Sequence, residues 1–300
     1  MLKIAYHPIY KLELQKGHRF PMEKYDLLPQ QLLHEGTCTP ENFFEPVIPN
    51  DKHFFTVHDS EYFYDLLNIT LSQKAARKIG FPLSEILIER EMIIADGTIK
   101  ASEFALKHGI AMNIAGGTHH AFSNRGEGFC MLNDQAIGAK YLQNNGLVDK
   151  VLIIDLDVHQ GNGTAEIFND DNSVFTFSMH GKGNYPFIKE KSNLDIPLEN
   201  NTTDSEYLSI LKKFLPKIIQ QEKPDFIYYL CGVDVLATDK LGKLSLTLEG
   251  CKERDRFVLK TCLDLKIPVM CSMGGGYSED INVIIEAHAN TFRLAQEIYF

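Results

Sequence analysis

The chain has 300 residues, 40 of them acidic and 30 basic, for a net charge of −10. That length is enough to bury a large core, while the acidic balance argues against a general nucleic-acid binder, which needs a basic face. No apolar run approaches the roughly eighteen residues of a membrane-spanning helix, and the start, MLKIAYHPIYKLEL, lacks the hydrophobic core of a signal peptide.

Met1 to Tyr6 reads as a short strand. Gly17 to Tyr25 reads as a loop entering a helix, with Pro21 near the first turn, and the leucines of LLPQQLLHEG continue at helical spacing to Gly36. Phe54 to Val57 reads as a strand, after which Ser60 is placed to cap a helix through Glu61 and YFYDLL. Residues 75 to 112 read as mostly helical, ending in a run of small residues from Ile110 to Gly117. Further strands are predicted at Val151–Ile154, Ser173–Met179, Phe226–Cys231 and Ile267–Ser272. Helices are predicted at Asp204–Gln221, Thr247–Leu265 and Asp280–Tyr299. Strands alternating with helices imply an α/β fold with a doubly wound, mainly parallel sheet and helices on both faces. With no repeat, low-complexity tract or linker, residues 1–300 read as one domain. The six cysteines (Cys38, Cys130, Cys231, Cys251, Cys262 and Cys271) form no CxxC pair, which points to buried reduced thiols and a cytoplasmic protein.

The richest stretch is Val151 to Thr164, VLIIDLDVHQGNGT. An apolar, β-branched run runs into Asp155, Asp157 and His159 at alternating positions. In extended backbone these three share a face. Two carboxylates and an imidazole at the end of a buried strand are costly unless a positive charge joins them. A divalent cation answers that need, and Gly161 and Gly163 would let the chain turn around it. A turn with a few exposed acids is the plainer reading of the same residues. Polar residues also stand at the carboxyl ends of the other predicted strands, where open α/β sheets bind ligands. Asp234 follows the apolar FIYYLC, the pair His119 and His120 follows two glycines, and Tyr277 follows three. Taken singly, each has a plain alternative: a helix cap, a surface or core histidine, a packing tyrosine.

Together, GGTHHAF, GFCMLND, DLDVHQGNGT, GVDVLATDKLG and GGGY, in that order, resemble the zinc-dependent histone deacetylase family and its bacterial relatives. GHRFPMEKYDLL and the short length look most like its class IV branch. The resemblance implies the arginase/deacetylase fold and a zinc ion (Zn2+, with Fe2+ as the other candidate) held by Asp157, His159 and Asp234. It implies that His120 is the general base and acid, that His119 supports it, and that Tyr277 donates to the developing oxyanion. Asp155 would orient His119, and Asn162 stands opposite His120 where class I members carry an aspartate. A structural potassium ion (K+) is implied at Asp155, Asp157, His159, Ser178 and Met179. Phe129 and Tyr185 match the aromatic walls of an acyl-lysine tunnel, Gly128 its glycine and Gly275 the residue beside the tyrosine. Arg19 matches an arginine lining the inner channel used by the acid product.

Near the rim, the resemblance puts Ser60 close to the position of an aspartate that clamps the substrate backbone, with Asp59 one residue away as the other candidate. Leu241 stands where polyamine-selective members place an acidic gatekeeper, which disfavours an acylpolyamine. The expected activity is hydrolysis of acyl groups, acetyl by default and longer fatty acyl as a variant, from lysine in a protein or peptide. Small acylated amines and a non-catalytic acyl-lysine binder are the rival readings. No nucleic-acid or membrane partner is expected. A binuclear manganese enzyme of arginase type would need more acidic ligands than these strand ends offer.

Overall fold

Apolar, β-branched-rich runs can sit at the centre of a parallel sheet because helices cover both of its faces. The computed structural model describes residues 1–300. In chain order the elements are β1 (Lys3–Ala5), α1 (Lys24–His34), β2 (Phe43–Phe44), α2 (Ser60–Leu67), α3 (Gln73–Ile79), α4 (Glu85–His108), β3 (Ile110–Asn113), α5 (Asp134–Asn144) and β4 (Val151–Asp155). They continue with α6 (Asn162–Ile167), β5 (Val174–Gly181), β6 (Leu194–Leu198), α7 (Asp204–Glu222), β7 (Phe226–Leu230), α8 (Leu248–Asp264), β8 (Val269–Ser272) and α9 (Ile281–Tyr299). The strands form one sheet in the order β2-β1-β3-β8-β7-β4-β5-β6, and every pairing is parallel. The α/β expectation holds, and the sheet is parallel throughout.

The chain leaves β3, skips two places to lay down β4, builds outward through β5 and β6, then returns to insert β7 and β8 into the gap. This reversal makes β3, β8, β7 and β4 the four central strands, and every residue in them is buried. Their carboxyl ends therefore lie side by side at the point where strand order reverses, which is where such sheets form their crevice. The helices α4 and α5 pack together, while α1, α9, α8 and α7 form a second continuous layer. No helix is long and apolar enough to cross a membrane.

Four local readings need correction. Ile110–Asn113 is not the tail of a helix but the central strand β3, because Gly109, at φ 86°, ends α4 in a left-handed turn. The long helical stretch before it is two helices, split after Gly80. Phe54–Val57, strand-like in composition, lies in a 3-10 turn over Asp51–Thr56, where the Asn50 side chain accepts from the Lys52 N–H. Its Phe54 ring stacks on Phe63 of α2 at 4.8 Å between centroids. Ser60 opens α2 rather than capping it, and Asp59 occupies the cap position without a side-chain bond. The short edge strand β2, the outer strand β6 and the helices α5 and α6 have no counterpart in the sequence reading. The six cysteines are free and buried, as expected.

Candidate active site

The strand β4 ends at Asp155, and beyond it the backbone bends. The alternation read from the sequence therefore does not persist, and the three residues divide between two tasks. Asp155 turns to His119, accepting at Oδ2 from Nδ1 over 2.8 Å. Asp157 and His159 turn instead toward Asp234, at the end of β7. His159 Nδ1 lies 2.9 Å from Asp157 Oδ1 and 3.1 Å from Asp234 Oδ2. Ligand atoms from these three buried residues all fall within 4.8 Å of one another.

Burial and the neighbouring Asp157 carboxylate push the Asp234 carboxyl up to about 7. Two acids this close, with water excluded, cannot both hold charge cheaply without a cation. The donor set of two carboxylates and one imidazole fits a divalent transition metal, and three protein ligands match a catalytic site with open positions rather than a closed structural one. A bulkier neighbour would spoil the arrangement. A Cβ on Gly275 would stand 2.0 Å from Asp234 Oδ2, and the Gly275 N–H donates to Asp157 Oδ2 over 2.8 Å. Gly161 is required for the same kind of reason rather than for a sharp turn, since its Cβ would lie 2.3 Å from Asp155 Oδ2.

The histidines sit on the loop after β3, and that loop is anchored by Asp134, the first residue of α5. Asp134 accepts from the Gly117 and Thr118 N–H groups at 2.9 Å each and from the Thr98 hydroxyl at 2.7 Å. The His119 and His120 rings lie tilted against each other with centroids 4.1 Å apart, yet their partners differ. Burial pushes His119 down, but the Asp155 and Asp157 carboxylates outweigh it and its pKa is raised. His120 Nδ1 donates to Asn162 Oδ1 over 2.6 Å, which leaves Nε2 with its lone pair. Burial, followed by the charges of His119 and His159, holds His120 well below the ordinary imidazole value. One histidine thus favours charge and its neighbour favours neutrality.

Tyr277 reaches the site on the loop after β8, and its N–H is fixed by Asp239 Oδ2 at 2.6 Å. Gly128, Phe129, Tyr185, Leu241 and Tyr277 line a cavity of about 320 Å³ that opens to solvent above His120 and His159. The Tyr185 ring meets His120 edge-on at 4.9 Å. Below lies a second cavity of about 40 Å³, bounded by Phe20, Tyr25, Arg90, Glu91 and Cys130 as well as by the histidines and Asp157. Ser178 is the register partner of Asp155, and its hydroxyl faces His180 at 2.9 Å. Met179 follows it, buried, on β5.

Arg19 does not meet its inner-channel expectation. Its side chain is exposed and lies 5.0 Å over the Phe129 ring at the outer cavity. The inner cations are Arg90, paired with Glu91, and the fully buried Lys24. Lys24 Nζ donates to Gly274 O over 3.0 Å, and burial pushes its pKa down to about 8. Neither Asp59 nor Ser60 lines the mouth. A third buried cation, Arg254 of α8, was not singled out in the sequence. It pairs with Asp255 at 2.8 Å and donates to Leu156 O (3.1 Å), Gly232 O (2.6 Å) and Cys231 O (3.3 Å), the carbonyls beneath the ligand-bearing ends of β4 and β7.

A family model described as the histone deacetylase domain matches residues 18–292. The chain is 44% identical over 296 residues to an uncharacterized protein of Picosynechococcus sp., the match covering 99% of both chains. It is 29% identical to Histone deacetylase 2 of Arabidopsis thaliana, over 97% of this chain and 79% of that one. The solved structure of an HDAC homologue from Aquifex aeolicus superposes with a TM-score of 0.83 at 25% identity, covering 97% of this chain and 82% of the other.

Proposed function

The chain belongs to the histone deacetylase family, and from that premise we propose that it is a metal-dependent lysine deacylase. In this reading it hydrolyses a short acyl group, acetyl by default, from the side-chain amide of lysine in a protein or peptide. The observation that carries the reading is the juxtaposition of the Asp157, His159 and Asp234 cluster with a neutral His120 whose Nε2 is free.

Asp157, His159 and Asp234 would hold the metal, zinc by family resemblance, and a divalent cation there supplies Lewis acidity toward the amide carbonyl and toward water. His120 Nε2 takes the proton of the attacking water and returns one to the leaving lysine amine. Asn162 keeps Nδ1 protonated throughout, so the same nitrogen serves as base and then as acid. His119, made more basic by Asp155 and Asp157, brings positive charge beside the reacting centre. The Tyr277 hydroxyl donates to the carbonyl oxygen as it gains negative charge. Phe129 and Tyr185 flank the aliphatic lysine stem, Gly128 leaves room for it, and Gly275 lets the tyrosine loop approach the ligand carboxylates. The potassium ion implied by the family would draw on Asp155, Asp157, His159, Ser178 and Met179, where β4 and β5 run in register. An inner cavity of about 40 Å³ is room for a few water-sized groups. That supports acetyl over a long fatty acyl chain.

Turnover of lysine peptides carrying acetyl through myristoyl groups tests the reading, using metal-loaded protein with Tyr277→Phe alongside. Acetyl is expected to be fastest, with decanoyl and myristoyl far slower. Tyr277→Phe should lose at least about a hundredfold in kcat, as loss of an oxyanion donor does. Failure to cleave any acyl-lysine peptide while metal is bound overturns the reading.

A further inference from the structure

The cavity at the tunnel mouth is lined by three cations, Arg19, Lys78 and Lys243, and by no acidic residue. This runs against the chain as a whole, whose net charge is −10. The three stand on separate segments: the loop before α1, the last turn of α3 and the loop between β7 and α8. The partner of Arg19 is the Phe129 ring at 5.0 Å, and that of Lys243 is the Gly183 carbonyl at 2.8 Å, so neither charge is neutralised. Lys78 pairs with Glu127 at 3.1 Å, but Glu127 also takes Arg125 at 3.0 Å and the Tyr185 hydroxyl at 2.7 Å. That corner therefore holds two cations for one carboxylate. Beside it, on the loop that carries Tyr185, Phe187 and Ile188 are 87% and 86% exposed.

We propose, on the basis of the deacylase reading above, that the preferred substrate is an acyl-lysine within an acidic polypeptide segment, with carboxylates flanking the modified lysine. Acyl-lysine in a basic tail is correspondingly disfavoured. A single exposed ion pair contributes little, but several charges of one sign around a cleft steer encounter and select partners. Because the cations come from three segments around the cavity, a chain with carboxylates on either side of the lysine engages more of them than one small anion does. Phe187 and Ile188 give the same extended chain an apolar surface to lie against.

The test compares kcat/KM for three acetyl-lysine peptides of equal length, flanked by Glu, by Ser or by Lys, on metal-loaded wild-type protein. The expected order is Glu, then Ser, then Lys, with the Glu and Lys peptides separated roughly tenfold at low ionic strength, the combined effect of a few exposed pairs. The difference should reside in KM and shrink toward unity in about 0.5 M salt, where such charges are screened. In the double variant Arg19→Glu, Lys243→Glu the order should invert. Each ratio is internal to one protein, so a loss of folded enzyme cannot imitate the inversion. Equal turnover of the three peptides at low salt, or a preference for Lys flanks, overturns the charge selectivity and leaves the deacylase reading standing. A small acylamide bearing one carboxylate that outperforms every peptide overturns the polypeptide assignment. Cleavage of none of them removes both.

Discussion

The floor of the candidate site and its mouth are built by opposite rules. On the floor, where β3, β8, β7 and β4 end together, nearly every polar side chain is buried and held by partners distant in sequence. Asp134 grips the histidine loop, Asp239 grips the backbone of Tyr277, and Arg254 ties the ends of β4 and β7. At the mouth, the side chains of Arg19, Phe187 and Lys243 are solvent-facing and come from loops. The difference separates two properties that a single word such as specificity would merge. Under the proposed deacylase reading, the floor would set which bond breaks, and the mouth would set which molecule carries that bond. Errors on the floor should cost stability and chemistry, while errors at the mouth should cost neither and only change the choice of substrate.

Removing the cation under the floor is the most severe way to test that division. Arg254→Met leaves the Asp255 carboxylate buried without its ion pair and strips three backbone carbonyls of a donor. Losing one partner of a buried pair costs about 3–5 kcal/mol. Urea unfolding should show that drop, with activity falling in the fraction that still folds. A midpoint unchanged from wild type would mean that the strand ends hold their places without the arginine. Lys243→Met, also a lost cation but at the mouth, should move the midpoint by no more than about 0.5 kcal/mol.

A smaller effect, confined to proton transfer, is expected from Asn162→Asp. Burial and the neighbouring His119 and His159 keep His120 neutral, and the Asn162 amide oxygen adds only a hydrogen bond. A carboxylate at the same place favours the imidazolium and raises the pKa. A base with a raised pKa is protonated over more of the pH range. The acidic limb of the kcat/KM profile should therefore move to higher pH, by about one unit. The alkaline side should be much less affected. A limb that stays where it was would argue that His120 is not the group being titrated.

The same division decides what could be read from the sequence. The floor was legible because its chemistry lies in short contiguous runs: DLDVH carries Asp155, Asp157 and His159 within five positions, and glycines mark the close approaches. The strand β3 was missed because its four residues follow directly on a 24-residue helix, and only the left-handed Gly109 separates them. Lys24 and Arg254 were invisible for another reason. A lysine in a loop-to-helix stretch and an arginine in KERDR look like solvated charges, and only tertiary packing buries them, 250 and 98 residues from carbonyls to which they donate. Arg19 lines the outer cavity rather than the inner one because a motif fixes order along the chain and not which face of a loop a side chain takes.

Leu241→Glu should have the smallest effect on the protein and the clearest effect on choice. The Leu241 N–H donates to Asp239 Oδ1 at 2.8 Å, and its carbonyl accepts from Asn184 Nδ2 at 2.7 Å, so the backbone is held whatever side chain it carries. The substitution puts one carboxylate into a mouth that holds three cations and no acidic residue. Stability should change by no more than about 0.5 kcal/mol, as for an ordinary surface replacement. The ratio of acetylspermidine to acetyl-lysine peptide turnover should rise several-fold, the scale of one or two exposed ion pairs, because a second ammonium gains a partner. The advantage of Glu-flanked over Lys-flanked peptides should narrow in the same variant, since the added charge cancels part of the field that produces it. If the polyamine ratio rises while the flank preference stays, the residue acts by direct contact with the ligand. If both move together, the mouth selects through its summed charge, which is the behaviour that separates it from the floor.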